Sequence, residues 1–541
     1  MKLDRKSREA SRKAIKRNRE KGKKHQKKQI LSDHQRKGKE LIPPLVGVLS
    51  DKLVHVRWID NLLPDIIWIG LLQDMRIELR GAEVALKCAE ETNKILKPKK
   101  IRSFAFISDY RDINASQAEM IKRNLANEGV LNDLQSCLFP LISLYPKCPF
   151  GILFDDHSLD AYKVNSDTAL DTMKRVVRDC FNRQGLPATI VQTIAVYIML
   201  VTGKLRVLQG VGFENPYVIL DYPFTEESQN LASVVRSTLN AVECEKSRNK
   251  NLWCSYFWQR GYEISTCEFS DSSPHPSDSA NTIESSDILR AAHTYREELF
   301  EEILYRWNLA FIDLAQPLKD EILGGLIARQ ARLATVITTD PNSWAVDIGR
   351  ILLRCMVDTH ITLVWLAFKG TEEDVQQFFQ YGLGQEKLLL EHLSSRLDER
   401  DPKLASLREE VEGMRTWINS QIITDFLPVN VGSWTKKSTR EMAEETNCLD
   451  MYNLGYSPFS STVHGMWNTI SRVNLTYCTN PLHRFHGVPS LEDPPMYLGI
   501  IEYALQVMDE SLRAWEQAKG IQGLELAASA GFRKTLRTYF S

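Results

Sequence analysis

From Leu41 onward, apolar residues recur mostly at spacings of three and four, which predicts a mainly α-helical protein. The segment Asp60–Leu72 (DNLLPDIIWIGLL) reads as a capped helix. Pro64 suits the first turn, and Asp65 there complements the helix dipole. Ile66, Ile67, Trp68, Ile69, Leu71 and Leu72 cover most of the circumference, so this helix is expected to be buried. Further helices are expected over 82–96, 115–128, 165–182 and 187–208. Ser103–Ile107 and Tyr217–Leu220 read as short β-like runs, but no alternation is sustained. After residue 285 the pattern is strongly helical, over 286–314, 317–338, 343–369, 371–396, 403–427, 459–472 and 495–519. The last of these carries Leu498, Ile501, Leu505, Met508, Leu512 and Trp515 on one stripe. An α-helical bundle of five to seven helices is the expected architecture of this half.

The stretch Ser270–Thr282 is rich in Ser, Pro and Asp and has almost no apolar content, which marks a linker. The expected organisation is a disordered basic arm (1–40), a helical N-terminal domain (41–268), a linker (269–285) and a C-terminal helical bundle (286–535). No internal repeat of fixed period is apparent.

Composition is ordinary for a globular chain of 541 residues, with 43% hydrophobic and 25% charged residues. Charge is not evenly spread. Residues 1–40 hold 17 Lys and Arg against 5 Asp and Glu, a net of +12, whereas the remainder holds 51 against 64, a net of −13. An arm so poor in apolar residues cannot offset its ordering entropy by burial. Arg12, Lys13, Lys16, Arg17, Arg19, Lys23, Lys24, Lys27 and Lys28 are its candidate nucleic-acid contacts, to RNA or another phosphate backbone. The plainer reading is a solvated charged tail.

Met1–Lys28 has no apolar core of a signal peptide. The stretch Ile190–Val201 is interrupted by Gln192 and Thr193 and is shorter than the roughly 20 residues a span needs. The ten cysteines form no CxxC pair. A cytoplasmic protein with reduced thiols and no membrane contact is expected.

Two segments carry candidate chemistry. The apolar helix Ala345–Leu366 contains Arg354 and Asp358, an i,i+4 pair on one face. Such a pair is either a structural bridge between bundle helices or an arginine oriented by an acid for catalysis. The segment Tyr456–Gly465 (YSPFSSTVHG) offers Ser457 as a helix cap, with Ser460 and His464 four residues apart. A lone helical histidine is equally well explained as a hydrogen-bonded core residue.

Together these segments resemble a widespread bacterial domain family of uncharacterised proteins, marked by Arg-x-x-x-acid in an apolar helix and a later Ser-x-x-(x)-His-Gly. The matching residues are Arg354, Asp358, Ser460, Ser461, His464 and Gly465. The acid in such proteins is more often Glu, so Asp358 is a shorter variant. Leu31–Trp68 also resembles the N-terminal region of longer members. Such proteins look similar to helical HEPN-type domains, metal-independent ribonucleases of toxin and phage-defence systems that use Arg-x(4–6)-His. The resemblance implies an RNA-directed activity and a homodimer with a shared site.

Arg354 and His360 fit that last motif, as do Arg19 and His25. About two matches are expected by chance in a chain of this composition, so the pattern alone carries no weight. On a helical wheel His360 falls about 240° from Arg354. His464, from another helix, is the preferred partner, with His360 kept as a candidate. In the resulting scheme His464 is the general base or acid, Arg354 stabilises phosphate charge, and Asp358 holds Arg354, with no cofactor and no metal required. The competing reading is a non-enzymatic helical adaptor binding nucleic acid or a protein partner.

Weaker signals point to metal chemistry. Pro64-Asp65 with Glu78-Leu-Arg80 mimics a restriction-type nuclease motif, but on a helical pattern. Asp155, Asp156 and His157 read as a turn. Cys478, His483 and His486 can supply three zinc ligands at an unusual spacing, with no obvious fourth. No complete phosphate loop, dinucleotide fingerprint or GxSxG elbow is present.

Overall fold

The computed structural model describes residues 34–38, 40–42, 58–74, 80–96, 103–155, 166–205, 216–246, 252–269, 285–397 and 402–540. The arm contacts from Arg12 to Lys28, the Ser/Pro linker, Glu78 and His157 lie outside them. The described residues are mainly helical, and their strands are four three-residue segments. These form two antiparallel pairs, β1 (Gln35–Lys37) with β2 (Glu40–Ile42) and β3 (Leu475–Tyr477) with β4 (Gly487–Pro489). The chain divides into two compact units, Met1–Phe269 with Cys478–His486, and Ser270–Tyr477 with Gly487–Ser541.

The N-terminal unit contains α1 (Leu63–Asp74), α2 (Arg80–Leu96), α3 (Ala115–Asn127), α4 (Leu131–Leu144), α5 (Ser166–Phe181), α6 (Leu186–Val201), α7 (Glu226–Lys246) and α8 (Leu252–Glu263). Helix α1 is its axis. Every residue from Leu63 to Leu72 is buried, as an apolar surface without a polar face requires. Pro64 is its second residue, behind a π-helical turn at Trp58–Leu62. Asp65 is buried rather than simply facing the helix dipole, and its carboxylate accepts from the Ser108 backbone N–H and hydroxyl, both at 2.7 Å. It is therefore a structural acid on a helix, not on the strand that a restriction-type motif requires. Indole N–H groups satisfy carbonyls around the same core: Trp68 donates to Ala105, Trp253 to Pro64 and Trp258 to Ile59.

Both β-like runs are corrected. Ser103–Phe106 leads into a 3-10 helix at Ile107–Asp112, and residues 216–221 form another. A short apolar run bounded by turn residues fits a buried strand and a buried helical turn equally well, and here the first became a turn leading into a 3-10 helix and the second a 3-10 helix itself.

The C-terminal unit contains α9 (Ser285–Leu309), α10 (Leu318–Thr339), α11 (Val346–Phe368), α12 (Glu372–Ser394), α13 (Ala405–Gln421), α14 (Thr439–Glu445), α15 (Ser457–Val463), α16 (Trp467–Val473), α17 (Gly499–Ala518) and α18 (Ala527–Phe540). Helix α11 is central and packs against α10, α15 and above all α17. By length and composition it is apolar enough to cross a membrane, though it carries Arg350, Arg354 and Asp358. Gly349 permits the close approach: an added Cβ would lie 2.5 Å from the Ser343 carbonyl and 2.6 Å from Ile500. The helix expected over 459–472 is instead two short ones, because Gly465 adopts φ +55 and ends the first.

A buried ion pair ties the bundle together. Arg306 on α9, 1% exposed, donates from Nε to Glu516 on α17 at 2.5 Å and from Nη2 to the Glu525 carbonyl at 2.8 Å. No sequence signal had singled it out.

Candidate active site on the helical bundle

Arg354 projects from α11 toward α15. Its Nη1 lies 3.3 Å from Asp358 Oδ2, one turn further along. Its Nε donates to Ser460 Oγ at 3.1 Å, and that hydroxyl donates in turn to the Tyr456 carbonyl at 2.7 Å. The guanidinium carbon sits 3.5 Å from the centroid of the Tyr456 ring. The structure thus brings together Arg354, Asp358 and Ser460, and adds Tyr456. The side chains of Arg354 and Asp358 are 20% and 43% exposed, so the pair is partly solvated.

The local backbone explains why Tyr456 is available. Residues Tyr452–Tyr456 form a π-helical turn that runs directly into α15. Ser457 is therefore the first residue of α15 behind a helical Tyr456, with no side-chain cap, and the expected capping role is corrected. The π turn stacks Tyr452 on Tyr456 at 4.9 Å between centroids. Such turns cost regular helical bonding and are concentrated at functional sites. Arg440 lies over Tyr452 and Arg350 over Phe459, each at 5.9 Å. Three arginines, Arg354, Arg440 and Arg350, thus each lie against an aromatic ring of the 452–459 segment, and these rings pack on the bundle core.

His464 caps the C-terminus of α15, where its backbone N–H bonds the Ser460 carbonyl at 3.1 Å. Its ring is exposed and has no hydrogen-bond partner among the described residues. No hydrogen bond or ion pair joins it to Arg354 or Asp358 among those residues. It lies one helical turn beyond Ser460, so the two share a face. Ser461, the other serine of the motif, bonds the Pro458 carbonyl and receives the Asn468 amide.

His360 belongs to the core. It is 3% exposed, and its Nδ1 lies 2.9 Å from Ser511 Oγ. The Ser511 hydroxyl already donates to the Val507 carbonyl at 2.7 Å, so it accepts from His360, which fixes the Nδ1–H tautomer. Burial lowers the His360 pKa to about 4, so the ring is neutral near pH 7. It is a satisfied core histidine, away from the Arg354 face, and is set aside as a catalytic group.

Potential metal ligands gather in the N-terminal unit, where Cys267 joins Cys478, His483 and His486. The apparent lack of a fourth ligand reflected sequence distance, since Cys267 lies 216 residues before His483.

A family model described as a family of unknown function (DUF5677) matches residues 320–479, a stretch that contains Arg354, Asp358, Ser460 and His464. No curated protein and no solved structure matches the chain.

Proposed function

We propose that this protein is an RNA-directed effector of a bacterial defence or toxin system, and that the face carrying Arg354 cleaves RNA without a metal ion. One observation supports this most: the Arg354 guanidinium is held by Asp358, Ser460 and Tyr456, yet is still reached by solvent. A pre-oriented guanidinium is what stabilises charge developing on a phosphate, because it needs no reorganisation during the reaction. In this scheme His464 takes the proton from a ribose 2′-hydroxyl, and the freed oxygen attacks the adjacent phosphorus. The 5′-oxygen leaves with a proton from water, and a cyclic phosphate remains. Arg354 binds the non-bridging oxygens while Asp358 holds it in register. Closing the distance between His464 and Arg354 is left to RNA binding or to a second copy of the chain. The basic arm supplies salt-dependent attraction.

A second reading, a helical adaptor, draws on the same contacts, because Arg354 also ties α11 to α15. The two separate on incubation with total bacterial RNA in magnesium-free buffer. The enzyme reading expects cleavage that folded Arg354→Ala and His464→Ala variants lose. RNA retention without cleavage supports the adaptor.

A further inference from the structure

We propose that Cys267, Cys478, His483 and His486 form a closed, tetrahedral zinc site of structural type in the N-terminal unit. The inference is independent of the ribonuclease reading, whose residues lie in the other unit.

The geometry is that of a ligand cage. The four donor atoms lie within 4.8 Å of one another. Cys267 Sγ is 3.3 Å from His486 Nε2 and 3.4 Å from His483 Nδ1, and Cys478 Sγ is 3.7 Å from His483 Nδ1. A zinc ion with Zn–S of about 2.3 Å and Zn–N of about 2.0–2.1 Å places tetrahedral S···N edges near 3.6 Å. The observed separations bracket that value. Two sulfurs and two imidazoles are a preferred zinc donor set, and four protein ligands leave no position for a substrate.

The surrounding hydrogen bonds orient the ligands. Ser265 Oγ donates to the Gly261 carbonyl at 2.8 Å and so faces His483 Nε2, 3.0 Å away, as an acceptor. This places the His483 proton on Nε2 and turns the Nδ1 lone pair toward both sulfurs. Asn480 is fully buried and braces the same serine: its amide donates to Ser265 Oγ at 3.0 Å and to the Thr266 carbonyl at 2.9 Å. Its backbone N–H points at Cys478 Sγ, 3.4 Å away, as it would at a thiolate.

The backbone closes the cage. Cys478 N–H bonds the His486 carbonyl at 2.9 Å, and Thr479 N–H bonds the Glu268 carbonyl at 2.7 Å, beside Cys267. Between the histidines, Arg484 and Phe485 are both left-handed, at φ 61 and 50. Two adjacent non-glycine residues in that region need fixed surroundings to hold them there. The metal would cross-link Cys267, just past α8, to the nine-residue segment Cys478–His486.

The test uses the full-length protein, purified without chelator from zinc-supplemented and from cobalt-supplemented cultures. Metal analysis is expected to find about one zinc per chain. The cobalt-grown protein is expected to show thiolate-to-cobalt charge transfer and the visible bands of tetrahedral cobalt. Cys267→Ser and His486→Ala are each expected to lose the bound metal. A variant can lose metal by failing to fold, so the wild-type cobalt spectrum is the second readout, needing no substitution. Folded wild-type protein with less than about a tenth of a zinc per chain would overturn the proposal. So would an octahedral cobalt spectrum, metal content unchanged in both variants, or a Cys267–Cys478 disulfide in protein isolated with its thiols blocked.

Discussion

The guanidinium of Arg354 lies over the ring of Tyr456, 3.5 Å from its centroid, and the two residues come from α11 and the π turn before α15. The ring fixes one face of the cation while Asp358 and Ser460 fix its edge. Partly exposed pairs of this kind add little stability, about 0–1 kcal/mol for the ion pair and about 0.5–1 kcal/mol for the ring contact. Arg354→Ala is therefore expected to cost only about 0.5–2 kcal/mol in urea unfolding, while lowering RNA cleavage by about 10²–10³-fold. Arg354→Lys keeps the charge but loses the planar fork and the stacking, so its cleavage should stay close to that of the alanine variant.

Arg306 behaves in the opposite way. It is buried against Glu516 with both charges removed from water. Arg306→Met is expected to destabilise the bundle by about 3–5 kcal/mol, because Glu516 is left without its main partner. The double variant Arg306→Met with Glu516→Leu should recover much of that loss. Urea midpoints of the three proteins check it.

His360 sets an acid limit on stability. Its folded pKa, about 4, lies below the unfolded value of about 6.5. The unfolded chain therefore binds the extra proton first as pH falls. The contribution is fully present above about pH 6.5, is lost as pH drops toward 4, and amounts to about 3 kcal/mol at most. His360→Gln should flatten the pH dependence of the urea midpoint between pH 4.5 and 7, and should leave RNA cleavage intact.

The arm should show itself through salt. Its net charge of +12 predicts RNA affinity that falls steeply between 50 and 200 mM salt, by about 10³ or more if six or more phosphates are engaged. Deleting residues 1–40 should weaken binding at low salt by about tenfold or more and reduce the slope. Filter binding across a salt series measures both.

What the sequence disclosed follows from where the determining information lies. Helix α1 was legible because ten consecutive buried positions leave no other packing for it. Helix α17 was legible from its regular stripe, Leu498 to Trp515. Arg354 and Asp358 stood out because charges on an apolar helix need partners. Tyr456 was overlooked because a π turn has no simple sequence signature, and the segment read as a cap. Cys267 was invisible because its partners follow some two hundred residues later, and only folding brings them together. The single break at Gly465 divided an otherwise continuous helical pattern, and a glycine inside such a pattern is often tolerated.

If the Arg354 face cleaves RNA by attack of the strand's own 2′-hydroxyl, with His464 taking the proton, the cut requires that hydroxyl. The most direct measurement compares an end-labelled RNA cut by the protein in magnesium-free buffer with the same oligonucleotide carrying one 2′-deoxy sugar at the cut site. The all-ribose strand is expected to be cut to a cyclic-phosphate end, the 2′-deoxy strand to survive, and folded His464→Ala to cut neither. Equal cleavage of both strands, undiminished cleavage by His464→Ala, or no cleavage of either by the wild type would contradict that mechanism.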